Sequence, residues 1–124
     1  MKSAIRTRVS IAILAAALPA AALVGSGPAS AAPKTVNGTV GPGFTISLKR
    51  GGKQVHHLKP ATYRFKIADR SSSHNFRLKG PGYNKAITSV RFKGTKSATV
   101  KLRKGTYRYV CDVHPSMNGS FTVR

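Results

Sequence analysis

The chain has 124 residues, with 22 Lys and Arg against two Asp and no Glu, a formal net charge of +20. So few acids exclude general acid–base chemistry on paired carboxylates, and a single cysteine excludes an internal disulfide. That cysteine is then an intermolecular partner, a reactive thiol, a buried bystander or a metal ligand.

Residues 1–31 begin with Lys2, Arg6 and Arg8, continue through an apolar run from Val9 to Val24, and end in Ala29-Ser30-Ala31. That order is expected of a secretory signal peptide cleaved near Ala31. The apolar run is shorter than the roughly 20 residues of a spanning helix, so no membrane span is expected in the mature chain. Residues 32–124 are then expected to be one small domain. Three of the 22 cations precede residue 32, so this part carries 19 Lys and Arg against Asp69 and Asp112, a net +17. Such a charge predicts salt-dependent attraction to polyanions or acidic protein surfaces.

After a Pro/Gly lead-in, a first strand is expected near Val36–Val40. Alternation of period two then runs through Phe44–Leu48, Tyr63–Ile67, Phe76 and Leu78, Val90 and Phe92, Val100 and Leu102, Tyr107–Cys111, and Phe121 and Val123. Period two is the signature of half-buried strands. In this reading Phe44 shares the buried face with Ile46 and Leu48. Turn residues separate the runs at Gly51-Gly52, Lys59-Pro60-Ala61, Gly80-Pro81-Gly82, Lys93-Gly94-Thr95 and Lys104-Gly105-Thr106. About seven or eight short strands with regular turn signals predict an all-β sandwich or barrel. "LKPATYRF" and "LRKGTYRY" both run from an apolar residue through a turn into a Tyr-bearing strand, and Tyr107 is expected to bond nearby backbone at such a corner. Arg64, Lys66, Arg77, Lys79, Lys101, Arg103 and Arg108 fall on the polar side of the alternation. The aromatics fall on the opposite side, which argues against a base-stacking platform and so against a specific nucleic-acid reader.

The chemistry concentrates in "CDVHPSMNG", Cys111 to Gly119. Cys111 ends a predicted strand, His114 follows three residues on and Met117 three after that, so a thiolate, an imidazole and a thioether line one tight loop. "SSSHNFRL" offers His74 at the start of another strand. Taken singly, each of these residues has a packing or turn explanation. Taken together, two imidazoles and a thiolate with a weak axial Met are the ligands of a blue-copper electron-transfer centre. Zinc ordinarily takes a fourth Cys, His or carboxylate in place of a thioether. His56 and His57 would face opposite sides of a strand and are read as surface or edge residues.

At these residues the chain resembles the cupredoxins. "HNF" at His74–Phe76 and "GTYRYVCDVHPSMNGSFTV" from Gly105 match the family's two ligand segments, with a Cys-x2-His-x2-Met spacing like that of amicyanin-type proteins. The resemblance implies a Greek-key β-sandwich holding one mononuclear type 1 copper ion, with His74, Cys111, His114 and Met117 as ligands. It also implies that Asn75 ties the two ligand loops together and that His114 presents a ring edge at the surface as an electron port. Two departures stand out. Asp112 follows Cys111 directly, where it is expected to accept the His114 N–H or to add negative charge near the metal, and three serines form a plain, flexible approach to His74.

The expected function is one-electron transfer by a secreted carrier, monomeric, steered by its charge to an acidic redox protein. The alternatives are extracellular copper buffering or delivery, and a basic cell-envelope module that adheres to anionic polymers on a cupredoxin scaffold. An enzyme is not expected. Once His74 and His114 are used, only His56 and His57 remain, too few for the further copper centres of a multicopper oxidase.

Overall fold

A computed structural model describes residues 32–124; the signal segment expected at 1–31 lies outside the described residues. Ten strands build two five-stranded sheets, and the described residues include no helix. The first sheet contains β1 (Lys34–Val40), β2 (Ile46–Arg50), β3 (Lys53–Gln54), β5 (Thr62–Asp69) and β8 (Gly94–Lys101), in the order β3-β2-β1-β5-β8. The second contains β4 (His57–Leu58), β6 (Arg77–Gly80), β7 (Tyr83–Ala86), β9 (Gly105–Cys111) and β10 (His114–Val123), in the order β4-β10-β9-β6-β7. Strands β1 and β5 pair in parallel, as do β4 and β10, and the remaining pairs are antiparallel. Residues 32–124 form an all-β sandwich, as their alternation predicts.

Alternation decides which side chains face inward. On β5, Tyr63, Phe65 and Ile67 are buried while Arg64 and Lys66 are exposed. On β9, Tyr107, Tyr109 and Cys111 point into the core. The sheets meet through these rows: Phe65 of the first lies 6.5 Å from Phe121 of the second, ring to ring. Within the second sheet, Phe76 stacks on Tyr109 at 5.4 Å and Tyr107 on Phe121 at 5.5 Å. Each such ring contributes about 1.5–3 kcal/mol of burial free energy. Tyr109 needs space on the neighbouring strand, which Gly119, its direct cross-strand partner, provides. A Cβ on Gly119 would lie 2.3 Å from the Tyr109 ring.

Two sequence expectations change. Val90 and Phe92 lie in a half-buried turn and not in a strand; the strand that follows β6 and pairs with its outer edge is β7, at Tyr83–Ala86. Strand β2 starts at Ile46, and Phe44 lies outside the core at 72% exposure. The turn before it, Gly41-Pro42-Gly43, with positive φ at both glycines, delays the pleat by two residues. The Gly51-Gly52 turn does behave as expected: both residues have positive φ, 58° and 77°, and they close a two-residue hairpin between Arg50 and Lys53, a conformation that favours glycine.

Both Tyr-bearing turns are corners of the kind expected for Tyr107. The Tyr63 hydroxyl donates to the Lys59 carbonyl at 2.9 Å. The Tyr107 hydroxyl donates to the Pro81 carbonyl at 2.8 Å and accepts the Arg103 N–H at 3.1 Å. Tyr107→Phe keeps the ring and orphans both backbone partners. Its urea midpoint is expected to fall, with an unchanged slope, by an amount equivalent to about 1–3 kcal/mol. A midpoint equal to that of the unsubstituted protein would remove the corner from the account.

Candidate metal centre

Two connections at one end of the sandwich build the site. The first is the crossover from β5 to β6, which carries His74. It is not a flexible run of serines. Asp69, buried at the end of β5, accepts the Ser71 N–H at 3.1 Å through Oδ1. The Ser71 hydroxyl in turn accepts the Ser73 N–H at 3.3 Å and lies 2.9 Å from the Ser73 hydroxyl. The Arg70 N–H donates to the Val40 carbonyl at 2.9 Å, which anchors the crossover to β1. Beyond His74, the Phe76 N–H donates to the buried Thr88 hydroxyl at 2.9 Å.

The second connection is the hairpin from β9 to β10. Cys111 and His114 are direct cross-strand partners, so Asp112 and Val113 form its two-residue turn. The pairing then jumps to Asn118 opposite Val110, leaving Pro115, Ser116 and Met117 as an irregularity on one strand. An insertion of this kind re-aims side chains beside a site. The Asn118 amide steadies it by donating to the carbonyls of Pro115 and Ser116 at 2.9 and 3.2 Å. Met117 is buried in the same apolar cluster as Cys111.

Together these connections bring three donor atoms to one point. The Nδ1 atoms of His74 and His114 are 2.9 Å apart, and the Cys111 sulfur lies 3.8 Å from each. His74 and Cys111 are buried, at 4% and 0% exposure, and His114 is half-buried. This is the one such cluster of His, Cys and acidic donors among the described residues. Bonds of about 2 Å to nitrogen and about 2.3 Å to sulfur, the lengths proteins use for zinc, are long enough for one ion to reach all three atoms. The donor set is soft and free of carboxylates, with a buried thioether in the same cluster, and it fits copper better than calcium or magnesium.

Asn75 joins the two connections. Its backbone N–H points at the Cys111 sulfur at 3.5 Å. Its side-chain oxygen accepts the Asp112 N–H at 2.7 Å, and its side-chain amide donates to Asp112 Oδ2 at 2.8 Å. Asp112 therefore does not cap the turn through the His114 N–H. Its other oxygen accepts from Arg77 Nε at 2.8 Å in an ion pair, which offsets the negative charge expected beside the metal. Arg77 also donates to Asn84 at 3.2 Å. The Arg77 hydrogen bond, with help from the Asn75 amide and the Arg77 and Lys79 charges, holds the Asp112 carboxyl below the usual carboxylate range against the opposing effect of partial burial. The same hydrogen bond raises the Arg77 pKa.

Sequence reasoning missed two further contributors. Phe44 packs edge-on against both imidazoles, its centroid 5.4 Å from His74 and 5.0 Å from His114. The preceding Gly-Pro-Gly turn was the available signal that Phe44 leaves the strand. Arg77 is the cation paired with the acid of the ligand loop, and nothing in the spacing of residues 77 and 112 marks it. Phe44 and Val113, at 72% and 52%, are the large apolar side chains exposed among the described residues, and both belong to this end of the molecule. His56 and His57 lie elsewhere and are exposed.

Comparison with solved structures places this architecture. A substituted rusticyanin is similar with a TM-score of 0.52 and 26% identity, covering 75% of this chain and 79% of that one. The fold is that of the cupredoxins. A reduced amicyanin variant is similar at TM-score 0.50 and 18% identity, covering 77% and 88% of the two chains. A further rusticyanin, described as a copper protein, is similar at TM-score 0.50 and 23% identity, covering 75% and 80%. No protein-family model and no curated protein sequence matches the chain. The cupredoxin sandwich thus carries a His-Cys-His cluster at one end, and no helix among the described residues is long and apolar enough to cross a membrane.

The tie between Asn75, Asp112 and Arg77 has a pH signature in the metal-free protein. A carboxyl whose folded pKa lies below its unfolded value of about 3.9 stabilises the fold at higher pH, and loses that contribution as pH falls through the folded value. Asp112→Ala is expected to lower the urea midpoint at pH 7. The gap to the unsubstituted protein should close as pH falls below about 4. A gap independent of pH would show that the ionised carboxylate contributes nothing.

Proposed function

We propose that residues 32–124 form one small secreted domain that carries single electrons on a type 1 copper ion held by His74, Cys111, His114 and Met117. The observation that carries this reading is the convergence, within 4.8 Å, of one thiol sulfur and two imidazole nitrogens drawn from two separate connections. Copper, when bound, supplies a Cu(I)/Cu(II) couple. The chain supplies the rest. The sulfur of Cys111 sits in the core, where the Asn75 N–H points at it. The backbone that carries His74 is held between the serine turn and the strand start that Thr88 braces. Such outer hydrogen bonds commonly fix ligand orientation at metal centres. Met117 adds a buried thioether from the irregular start of β10. Phe44 packs against the half-buried His114, and Val113 is exposed in the adjoining turn, giving an electron a short path out at an apolar face from which water is readily displaced.

A carrier accounts for the chemistry better than an enzyme does. Of the two carboxylates, Asp69 is buried holding a turn and Asp112 is bound to Arg77 and Asn75. Neither is disposed to move protons. The partner we propose is an acidic redox protein, met faster because of the net positive charge, with an encounter rate that falls as salt screens it. Residues 1–31 are proposed as the secretory signal, cleaved near Ala31, which delivers the domain as a monomer outside the cytoplasm.

Adding one equivalent of Cu(II) to the purified metal-free protein tests the assignment. An intense blue thiolate-to-copper band is expected to saturate at one ion per chain and to be absent in Cys111→Ser. A colourless product, or a band that persists in Cys111→Ser, would overturn it.

A further inference from the structure

The end of the sandwich away from the cysteine carries a second feature. Two adjoining clefts, of about 700 and 480 Å3, share Lys34, Arg50, His57 and Leu58 among their walls. Lys53 adds to the first cleft, and Lys59 and Arg124 to the second. The cations reach this place from distant parts of the sequence: the start of β1, the hairpin of β2 and β3, the segment around β4, and the end of the chain.

The topology separates these clefts from the cysteine cluster. In the parallel pair of β1 and β5, Lys34 lies opposite Tyr63 at one end and Val40 opposite Asp69 at the other. Seven residues of strand span about 20 Å. Beyond Val40 come Phe44 and its contacts with His74 and His114, so the clefts lie at the opposite pole. Strand β10 agrees, since His114 begins it at the cysteine end and Val123 pairs with Leu58 at the cleft end.

No acidic side chain balances this pole. Asp69 and Asp112, the chain's two acids, are both at the other end, and the one ion pair between side chains of the described residues is Arg77–Asp112. The arrangement is also braced. The Arg50 guanidinium sits over the Tyr63 ring at 5.9 Å, and the Tyr63 hydroxyl is anchored to the Lys59 carbonyl at 2.9 Å. Concave surfaces lined by one sign of charge focus the field and concentrate counter-ions, and an arginine fork suits phosphate oxygens.

We propose that these two clefts form a binding site for a linear polyanion of repeated phosphate groups, which occupies both at once. Two clefts that share Lys34 and Arg50 suit a ligand with several closely spaced charges better than a lone anion. A chain held there would leave the cysteine end facing away from the polymer. The inference does not depend on a metal, so it stands or falls separately from the proposed function.

The test uses metal-free protein and inorganic polyphosphate, with affinity measured as a function of salt. The key variant is Lys34→Gln/Lys53→Gln/Lys59→Gln, which removes exposed charges and no core packing. The control is Lys66→Gln/Lys85→Gln/Lys96→Gln, of equal charge, at exposed residues that line neither cleft. The cleft variant is expected to bind about tenfold or more weakly, with a log–log salt slope shallower by about two to three, while the control changes both far less. Arg50→Gln alone should also weaken binding by several-fold, about as expected for one lost phosphate contact. Equal losses in the two triple variants would mean attraction by net charge alone and would overturn the site. So would the absence of binding, or competition by inorganic phosphate as effective, per phosphate, as the polymer.

Discussion

The site depends on the side chain of Asn75 more than on any other single group. One residue bonds the backbone N–H of Asp112, the carboxylate of Asp112 and, through its own N–H, the sulfur of Cys111. Those bonds lock the β5–β6 crossover to the β9–β10 hairpin. His74 and Cys111 are 37 residues apart in the chain, and without this lock neither loop has a local reason to face the other. Arg77 completes the arrangement by neutralising the carboxylate that would otherwise sit unpaired beside the thiol.

The sandwich supplies the rigidity behind that lock. The buried aromatic rows that join the sheets place Cys111 at the end of a core strand, so its sulfur is fixed by packing and not by a mobile loop. The irregularity at Pro115–Met117 lets one strand begin with a half-buried imidazole and then bury a thioether. Soft donors held in place before metal arrives suit an ion that changes oxidation state with little rearrangement. The charge distribution is equally polarised. Both acids lie at the cysteine end, where they organise the loops that carry the donors, and the opposite pole is left to cations.

Much of this was legible in the sequence, for identifiable reasons. Period-two alternation and turn residues marked the strands that bury aromatics, because burial on one face leaves a direct imprint on residue type. The Cys-x2-His-x2-Met spacing marked three of the four proposed donors, and the His-Asn-Phe stretch the other imidazole. Alternation failed where a turn shifted the pleat: Phe44 continued the apolar pattern of Ile46 and Leu48 yet left the strand to cover the imidazoles. It failed again at Val90 and Phe92, whose spacing mimics a strand inside a turn. Hydrogen-bond partners were the least legible. Nothing local told Asp112 to reject the nearby backbone for Asn75 and Arg77, or told three serines that Asp69 would order them, because those choices are made by segments distant in sequence.

A fold that holds two imidazoles and a thiolate in place does so whatever the oxidation state of the metal. X-ray absorption at the copper edge of the copper-loaded protein, recorded oxidised and then reduced, reads this out. One short copper–sulfur and two copper–imidazole distances are expected in both states, with only slight changes between them. Loss of the sulfur or of an imidazole on reduction, or a shell of nitrogen and oxygen without a short sulfur contact in either state, would contradict it.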